Sequence, residues 1–311
     1  MISPDKLSHA DQIATAVEST VGSGDAAGSR AIDMRVWDGI DVRLLPDRGL
    51  DIGAAWFRGT PLAWISENGE QGAVGADRLV DNVAWGAAWS GGLMTTCGLS
   101  NVGVAAEGIG LHGTYTARRA DNVQLDRSAS ALTVTATVVD PPFTVSRRIS
   151  TSLGQGLVRV DDLVVNESEW TAAAPLLYHV NLGAPLWDDD AYLETDALEV
   201  VPRDEVAAAG IATWDEPPPA SKDEPERVFE HVGATWVRLT NSRLGVEVTV
   251  RSSLPRLWQW LAPASGRYAL ALEPANCSVL GREHDIATGR MPFLDPGEVQ
   301  ESWLTIEART I

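Results

Sequence analysis

The chain has 311 residues, of which 44% are hydrophobic and 22% charged, and its formal net charge is -19. A chain of this length buries about 75% of the surface that it exposes when unfolded, so a large core forms without disulfides or metals. The acidic balance repels polyanions, which argues against nucleic acid and anionic membrane surfaces as partners. The only lysines are Lys6 and Lys222, both in polar sequence, which argues against Schiff-base chemistry.

The cysteines and the first residues bear on the cellular compartment. Cys97 and Cys277 do not make a disulfide framework, and no paired Cys/His spacing predicts structural zinc. Asp5, Lys6 and His9 interrupt any apolar region near the start, so no signal-peptide pattern is visible. No run approaches the roughly 18 apolar residues that cross a bilayer. These features predict a cytoplasmic protein that does not bind membranes.

In chain order, the first predicted element is an amphipathic helix over residues 5–19, within an N-terminal extension of residues 1–29. Period-two alternation of apolar residues follows along most of the chain, and such runs are typical of half-buried antiparallel strands. A second, shorter helix is predicted over 76–84. The predicted strands include 32–36, 40–44, 132–138, 143–145, 158–160, 246–250, 268–272 and 303–306.

The arrangement of these elements predicts the fold class. Strands do not alternate with helices, which argues against a doubly wound sheet. Many strands over the whole length predict an all-β protein, a large antiparallel β-sandwich with few short helices. The proline-rich, acidic segment 212–227 is a candidate linker. We interpret it instead as a surface loop of one domain spanning 1–311, because candidate chemical residues lie on both sides of it.

One motif suggests a nucleotide cofactor but lacks the required context. Residues 108–113 satisfy the pattern G-x-G-x-x-G. That pattern binds a dinucleotide only where a strand precedes it and a helix begins at it. Here the β-prone run Thr114-Tyr115-Thr116 follows. We therefore expect no nucleotide cofactor, and no metal.

The strand over residues 177–182 presents polar side chains on one face. Residues two apart on a strand face the same way, so His179 and Asn181 share a face, and Tyr178, Val180 and Leu182 share the other. A histidine on a strand is often a satisfied core residue. A functional site is the alternative interpretation.

Two further segments place polar groups where a ligand could approach. Glu273 shares a strand face with Ala269 and Ala271, and small residues leave open space in front of a carboxylate. His112 follows Leu111 and precedes Gly113, and glycine permits close backbone approach. Two histidines and a glutamate supply the acid, base and donor of general acid–base catalysis. The 12 Trp residues add flat apolar faces suited to the C–H surfaces of sugars.

From about residue 30 to the C-terminus, the sequence resembles the aldose 1-epimerase-like family of the galactose mutarotase superfamily. The resemblance is closest to an uncharacterised bacterial branch. The motifs that carry it are Asp47-Arg-Gly-Leu-Asp-Ile52, Thr95-Thr-Cys-Gly98, Leu111-His-Gly113, Tyr178-His-Val-Asn-Leu-Gly183 and Leu272-Glu-Pro274. The resemblance implies a large antiparallel β-sandwich with a sugar site on a concave face. It also implies an isomerase that interconverts the anomers of a free sugar without a cofactor.

The resemblance further implies the roles of individual residues. His179 is implied as the general acid and Glu273 as the general base, and their proximity is expected to favour both charged forms. The residues implied to bind the substrate are His112, Arg48, Asn181 and Asp47.

The spacing around His179 departs from the pattern of the well-studied enzymes. Those enzymes place the Asn four residues after the second His, whereas Asn181 follows His179 by two. Two alignments stay open. Either His179 is the acid, or Leu177 takes the position of the acid and His179 that of a Tyr.

Two alternative functions also stay open. The first is a non-catalytic carbohydrate-binding or regulatory protein on the same fold, which the altered spacing favours. The second is a lyase or isomerase of acidic sugars, which needs a cluster of arginines at the site. The candidates for that cluster are Arg48, Arg118, Arg119 and Arg282. The identity of the sugar and the oligomeric state do not follow from the sequence.

Overall fold

A computed structural model of the protein describes residues 4–128 and 130–311. Among the described residues, 49% are in strands and 10% in helices. All of the pairings between strands are antiparallel within the described residues. The predicted all-β class is therefore confirmed.

The secondary structure of the described residues is as follows. The strands are β1 (Ala14–Thr20), β2 (Arg30–Val36), β3 (Ile40–Leu45), β4 (Asp51–Phe57), β5 (Thr60–Pro61), β6 (Thr95–Gly98), β7 (Ala120–Arg127), β8 (Ala131–Asp140), β9 (Phe143–Ser152), β10 (Leu157–Asn166), β11 (Ala172–Ala173), β12 (Leu176–Gly183), β13 (Ala191–Thr195), β14 (Glu199–Pro202), β15 (Arg227–Val232), β16 (Trp236–Asn241), β17 (Val246–Ser252), β18 (Arg256–Ala264), β19 (Arg267–Ala275), β20 (Phe293–Leu294) and β21 (Val299–Thr310). The helices are α1 (Asn82–Ala87), α2 (Glu205–Ala209) and α3 (Arg282–Ala287), with 3-10 turns at Pro4–Lys6, Ala10–Gln12, Ala76–Arg78, Tyr115–Ala117 and Ile211–Thr213.

The strands form three large sheets and one small one. The first sheet has the order β1-β2-β3-β4-β5, and the second the order β13-β16-β17-β21-β10-β9-β8-β7. The third has the order β14-β15-β18-β19-β12-β6, and β11 pairs with β20. One contiguous apolar cluster includes side chains from all three large sheets, for example Val42, Val160 and Leu272. The sheets therefore pack around a common core, as in a β-sandwich.

The six-stranded sheet has a second, differently used face. In β12 the side chains of Tyr178, Val180 and Leu182 belong to the large core cluster, as the alternation predicts. Leu177, on the other face, belongs to a separate apolar cluster with Trp85 and Trp258. This outer face, covered by the segments between β5 and β7, carries the candidate site.

The prediction of an N-terminal helix over 5–19 is wrong. The described part of this segment contains two 3-10 turns followed by β1, which pairs with β2 from Ala14↔Val36 to Thr20↔Arg30. The segment 14–20 contains β-branched residues, which suit a strand, and it pairs with the edge of β2. This tertiary pairing overrides the local helical pattern. Residues 1–3 of the predicted extension lie outside the described residues.

The other two local predictions agree better with the structure. The helix predicted over 76–84 is present only in part, as a 3-10 turn at Ala76–Arg78 and as the start of α1 (Asn82–Ala87), whose first turn is capped by the Asp81 carboxylate. The segment 212–227 begins within a 3-10 turn and reaches β15 without another strand or helix. Most of it is exposed, although the buried Pro218 accepts a hydrogen bond from the Tyr268 hydroxyl at 2.6 Å. Within the described residues, no helix has the length and apolar composition needed to span a membrane.

Candidate active site

The centre of the candidate site is a contact between His179 and Glu273. The register between β12 and β19 pairs Leu177 with Ala275 and Val180 with Leu272, so His179 lies directly opposite Glu273. Both side chains are almost fully buried, and His179 Nε2 lies 3.0 Å from Glu273 Oε1. The structure thus places His179, rather than Leu177, beside the carboxylate. Leu177 packs in the apolar cluster behind it.

Burial controls the protonation of this pair. It raises the pKa of the Glu273 carboxyl to about 8, with a further rise from the negative charge of Glu226. Burial also lowers the pKa of His179 to about 3, helped by the nearby His112. We expected proximity to favour both charged forms, but the loss of hydration outweighs the mutual attraction and favours the neutral forms. Burial therefore favours the carboxylic acid form of Glu273 and the neutral imidazole of His179.

His112 is the second histidine of the site, on the loop between β6 and β7. Its backbone φ is +58°, and a Cβ on the following Gly113 would lie 2.5 Å from the Gly98 carbonyl oxygen. The Gly103 N–H donates to His112 Nδ1 at 3.3 Å, which leaves the proton of the neutral ring on Nε2. Burial lowers the pKa of His112 to about 4, so this ring is a neutral N–H donor. Its centroid lies 5.8 Å from that of His179.

Tryptophan rings surround the two histidines. The His179 ring packs edge-on against Trp89 at 5.0 Å and Trp260 at 5.6 Å between centroids, and His112 packs against Trp85 at 5.2 Å. Trp89 is held by a hydrogen bond from its Nε1 to the Thr95 hydroxyl at 3.0 Å. These three Trp rings also line the cavity, so they present apolar surface next to the pair.

The pair opens into a cavity of about 330 Å³. Its walls combine aromatic, aliphatic and polar side chains, which is the usual composition of a small-molecule site. Its lining residues include His112, His179, Glu273, Trp85, Trp89 and Trp260, together with Ser66, Asn68, Asn82, Leu111, Val228 and Val279.

Two ion pairs also lie at the cavity wall. Arg203 contacts Glu226 at 3.2 Å, and the other oxygen of Glu226 accepts a hydrogen bond from Trp260 Nε1 at 2.8 Å. Arg267 Nε donates to Glu67 at 2.8 Å. Each of these arginines is thus matched by a carboxylate that also lines the cavity.

Asp47 and Arg48, which we predicted to bind the substrate, do not line the cavity. The Arg48 guanidinium is buried and donates to the carbonyl oxygens of Gly72 at 3.2 Å and Ala88 at 2.9 Å. Asp47 accepts from the backbone and the guanidinium of Arg30 at 2.7 and 2.9 Å. Although burial alone would raise it, these bonds lower the pKa of Asp47. Both residues hold segments together behind the site.

Asn181 and the predicted arginines do not line the cavity either. Asn181 is fully buried and bonded to His179 instead. Arg118 pairs with Asp140, Arg119 with Asp47, and Arg282 with Glu107. The arginines that do line the cavity are Arg203 and Arg267, which the sequence analysis did not single out. Among the described residues no group of three His, Cys, Asp or Glu side chains could hold a metal ion.

The two histidines and Glu273 are recognisable from the sequence, whereas most residues of the cavity wall are not. The abundance of Trp was a signal, yet nothing in the spacing distinguishes Trp85, Trp89 and Trp260 from the other nine. Asn68 and Ser66 carried no signal, because their segment has no regular pattern.

Comparison with known proteins agrees with this architecture. A family model described as "Domain of unknown function (DUF4432)" matches residues 26–308. The chain belongs to this family. A search of curated proteins found no match for it.

Solved structures show the same fold. A "putative aldose 1-epimerase" from Klebsiella pneumoniae superposes with a TM-score of 0.83 at 18% identity, covering 96% of this chain and 88% of that one. A galactose mutarotase-like protein from Clostridium acetobutylicum gives a TM-score of 0.64 at 11% identity, covering 96% and 100%. A galactose mutarotase-like protein from Lactobacillus casei gives a TM-score of 0.60 at 16% identity, covering 88% of this chain and 98% of that one. The predicted galactose mutarotase-like β-sandwich is therefore confirmed.

Proposed function

We propose that the protein is a sugar mutarotase of the aldose 1-epimerase type, acting on a free monosaccharide or a derivative. The observation that carries this proposal is the 3.0 Å contact between His179 Nε2 and Glu273 Oε1 at the wall of a tryptophan-lined cavity. The names of the structurally similar proteins point in the same direction.

The chemistry of a hemiacetal suits a donor and an acceptor that lie side by side. The anomeric hydroxyl and the ring oxygen are both bonded to C1, so two adjacent groups can reach them together. One group of the pair removes the anomeric proton while the other protonates the ring oxygen. The C1–O5 bond breaks as the C1=O1 bond forms, the C1–C2 bond rotates, and reclosure returns both protons.

Burial sets the starting roles in this scheme. The neutral pair has Glu273 as the carboxylic acid and His179 as the base of ring opening. This order is the reverse of the one that the family resemblance implies. The roles exchange during reclosure, so the same two groups serve both half-reactions. His112 Nε2–H is suited to donate to a sugar oxygen, and the Trp rings to cover its C–H faces.

The test measures exchange between α and β anomers by saturation-transfer NMR. The sugars to be tried are pentoses, hexoses, deoxy-sugars, uronic acids and sulfonated sugars. We expect acceleration of one class, and a loss of about 10²–10⁴-fold in Glu273→Gln with sugar binding and melting temperature retained. Glu247→Gln is the matched control, because Glu247 is equally buried but lies on β17 in the eight-stranded sheet.

The same experiment separates the enzyme from a non-catalytic sugar-binding protein. A binding protein shifts the sugar signals without exchanging the anomers. Absence of acceleration for every sugar, or full exchange in Glu273→Gln, would contradict the proposal.

A further inference from the structure

The orientation of the Asn181 side-chain amide follows from its hydrogen bonds. Its Nδ2 lies 2.9 Å from the Gly92 carbonyl oxygen and 3.0 Å from the His179 carbonyl oxygen. Carbonyl oxygens only accept, so both amide hydrogens are directed at them. The amide oxygen Oδ1 then faces His179 Nδ1 at 2.5 Å.

This orientation determines where His179 carries its fixed proton. An amide oxygen has no hydrogen to give, so Nδ1 of His179 must be the donor in that contact. Nε2 on the opposite side of the ring faces Glu273 Oε1. One proton, and only one, can occupy the space between these two atoms in a hydrogen bond.

We propose that Asn181 is a positioning residue that holds a proton on Nδ1 of His179, so that Nε2 and the Glu273 carboxyl share one transferable proton. The catalytic part of this inference rests on the proposed function, because the sugar supplies the second proton of the cycle. The opposite tautomer would place a hydrogen on Nε2 and leave the imidazole unable to act as base there.

The short spacing between His179 and Asn181 gains a physical meaning from this contact. Residues two apart on a strand point the same way about 6.6 Å apart, within reach of an imidazole and an amide. A separation of four residues is about 13 Å, which no direct hydrogen bond spans. The spacing that departs from the well-studied enzymes is therefore the one that allows Asn181 to bond His179.

The surroundings hold Asn181 firmly. Its N–H donates to the Leu93 carbonyl oxygen and its own carbonyl oxygen accepts from the Trp64 N–H, both at 3.1 Å. The acceptor residue Gly92 has φ +94°, and a Cβ there would lie 2.6 Å from the Ile52 carbonyl oxygen. The amide, its acceptors and the imidazole thus form one rigid unit across β12 and the segment before β6.

Titratable groups face this pair from several elements. His112 approaches His179 from the loop before β7, and Glu273 from β19. Glu226 and Arg203 act on Glu273 from the cavity wall, with opposite signs. Cys97, on β6, is a buried thiol whose pKa burial raises well above its ordinary value. The charges of these neighbouring groups therefore influence how the activity of the His179–Glu273 pair depends on pH.

The first test observes the tautomer of the wild-type ring directly. Long-range ¹H–¹⁵N NMR of the ¹⁵N-histidine-labelled protein reports which ring nitrogen carries hydrogen, and His179→Gln assigns the signals. We expect the neutral His179 to be protonated on Nδ1 and His112 on Nε2. A His179 ring protonated on Nε2 alone would overturn the proposal.

The second test uses two substitutions of Asn181. Asn181→Leu keeps the approximate shape but removes the acceptor, so we expect kcat of anomer exchange to fall about 10²-fold with KM retained. Asn181→Asp restores an acceptor with negative charge, so we expect partial recovery of kcat and a shift of the acidic limb of the pH profile to higher pH. Asn166→Leu is the matched control, because the buried Asn166 amide donates to the carbonyl oxygens of Trp170 and Leu294 at the end of β10, in the eight-stranded sheet, and does not line the cavity.

The outcomes separate this inference from the proposed function. Wild-type kcat in a folded Asn181→Leu would overturn the positioning role while leaving the mutarotase proposal intact. A Nδ1-protonated His179 in a protein that exchanges no sugar would overturn the mutarotase proposal while supporting the hydrogen-bond assignment.

Discussion

Two neighbouring residues of β12, Tyr178 and His179, enter buried polar clusters of opposite character. On the core face, the Tyr178 hydroxyl donates to Asp162 at 2.8 Å. Arg147 donates to both oxygens of the same carboxylate at 2.8 and 2.7 Å. On the cavity face, His179 Nε2 contacts Glu273 Oε1 at 3.0 Å. One cluster contains a permanent cation, whereas the other contains only groups that titrate.

The difference separates a structural ion pair from a chemical one. Although burial alone would lower it, Asp162 holds the pKa of Arg147 well above its ordinary value, so this charge is permanent. The guanidinium also lies over the Tyr115 ring at 4.9 Å and donates to the Gly49 carbonyl oxygen at 3.0 Å. It therefore connects β9, β10 and the start of β4. The His179–Glu273 pair has a proton that can leave, and it opens into the cavity.

The largest expected effect is on stability, from breaking the core cluster. Arg147→Met leaves the buried Asp162 without its cation, which costs about 3–5 kcal/mol of unfolding free energy. Urea unfolding measures this loss. Arg148→Met is the control, since that neighbouring side chain is 54% exposed and its nearest carboxylate contact is 3.9 Å. Equal urea midpoints for the two variants would show that the core pair contributes no stability.

The next effect is on catalysis, with little change in stability. His179→Gln removes the ring nitrogen that exchanges the proton, so we expect anomer exchange to fall at least about 10²-fold while the urea midpoint stays near that of the wild type. His231→Gln is the control, because His231 is a buried histidine bonded to Gln259 on the same sheet and does not line the cavity. Retained exchange in His179→Gln would exclude this side chain from the reaction.

A third prediction concerns acid. Burial lowers the pKa values of His112, His179 and His231 to about 4, 3 and 4. In the unfolded chain these histidines bind protons near pH 6.5, whereas in the folded chain they do so only near pH 4 or below. Between these pH values the unfolded chain binds more protons, so the free energy of unfolding decreases as the pH falls. Replacing His231 with Gln removes one of these proton-binding sites. The free energy of unfolding should then change with pH less steeply, by up to about 1.4 kcal/mol per pH unit.

Urea unfolding at a series of pH values checks this slope. Wild type and His231→Gln should diverge between pH 6.5 and 4, whereas Arg147 keeps its proton throughout and adds nothing to the slope. Parallel stability curves would mean that His231 is protonated inside the folded protein.

The smallest effect is expected at the cavity wall. The negative charge of Glu226 adds to burial in raising the pKa of Glu273. Glu226→Gln should therefore lower that pKa and move the basic limb of the pH–rate profile to lower pH. Glu67→Gln, which removes a carboxylate paired with Arg267 elsewhere in the cavity, is the control for a general change of charge. A basic limb that moves equally in both variants would show that Glu226 has no specific influence.

Local alternation predicted which side chains of β12 and β19 would share a face, and the structure agrees. Tyr178 and Leu272 enter the core, whereas His179 and Glu273 face the cavity. A strand's period of two makes this assignment independent of the partner strand. Residues 14–20 show the limit of local patterns, because pairing with β2 decides their conformation.

The order of motifs along the chain was a weaker guide than the periodicity of the strands. Arg48 lies in a family-like motif, but its guanidinium donates hydrogen bonds to backbone carbonyl oxygens and does not line the cavity. Trp89 and Asn68 line the cavity, although their irregular segment gave no sign of it. Such segments have no periodicity from which a facing direction can be inferred.

The sequence by itself determined the all-β class and the faces on which His179, Asn181 and Glu273 lie, since strand alternation is a short-range property. Only the tertiary structure decided that His179 and Glu273 meet at 3.0 Å, because the register between β12 and β19 joins residues 94 positions apart. Tertiary structure also decided their protonation. Burial is a property of all the segments that cover the sheet, and it is burial that favours the neutral forms of this pair.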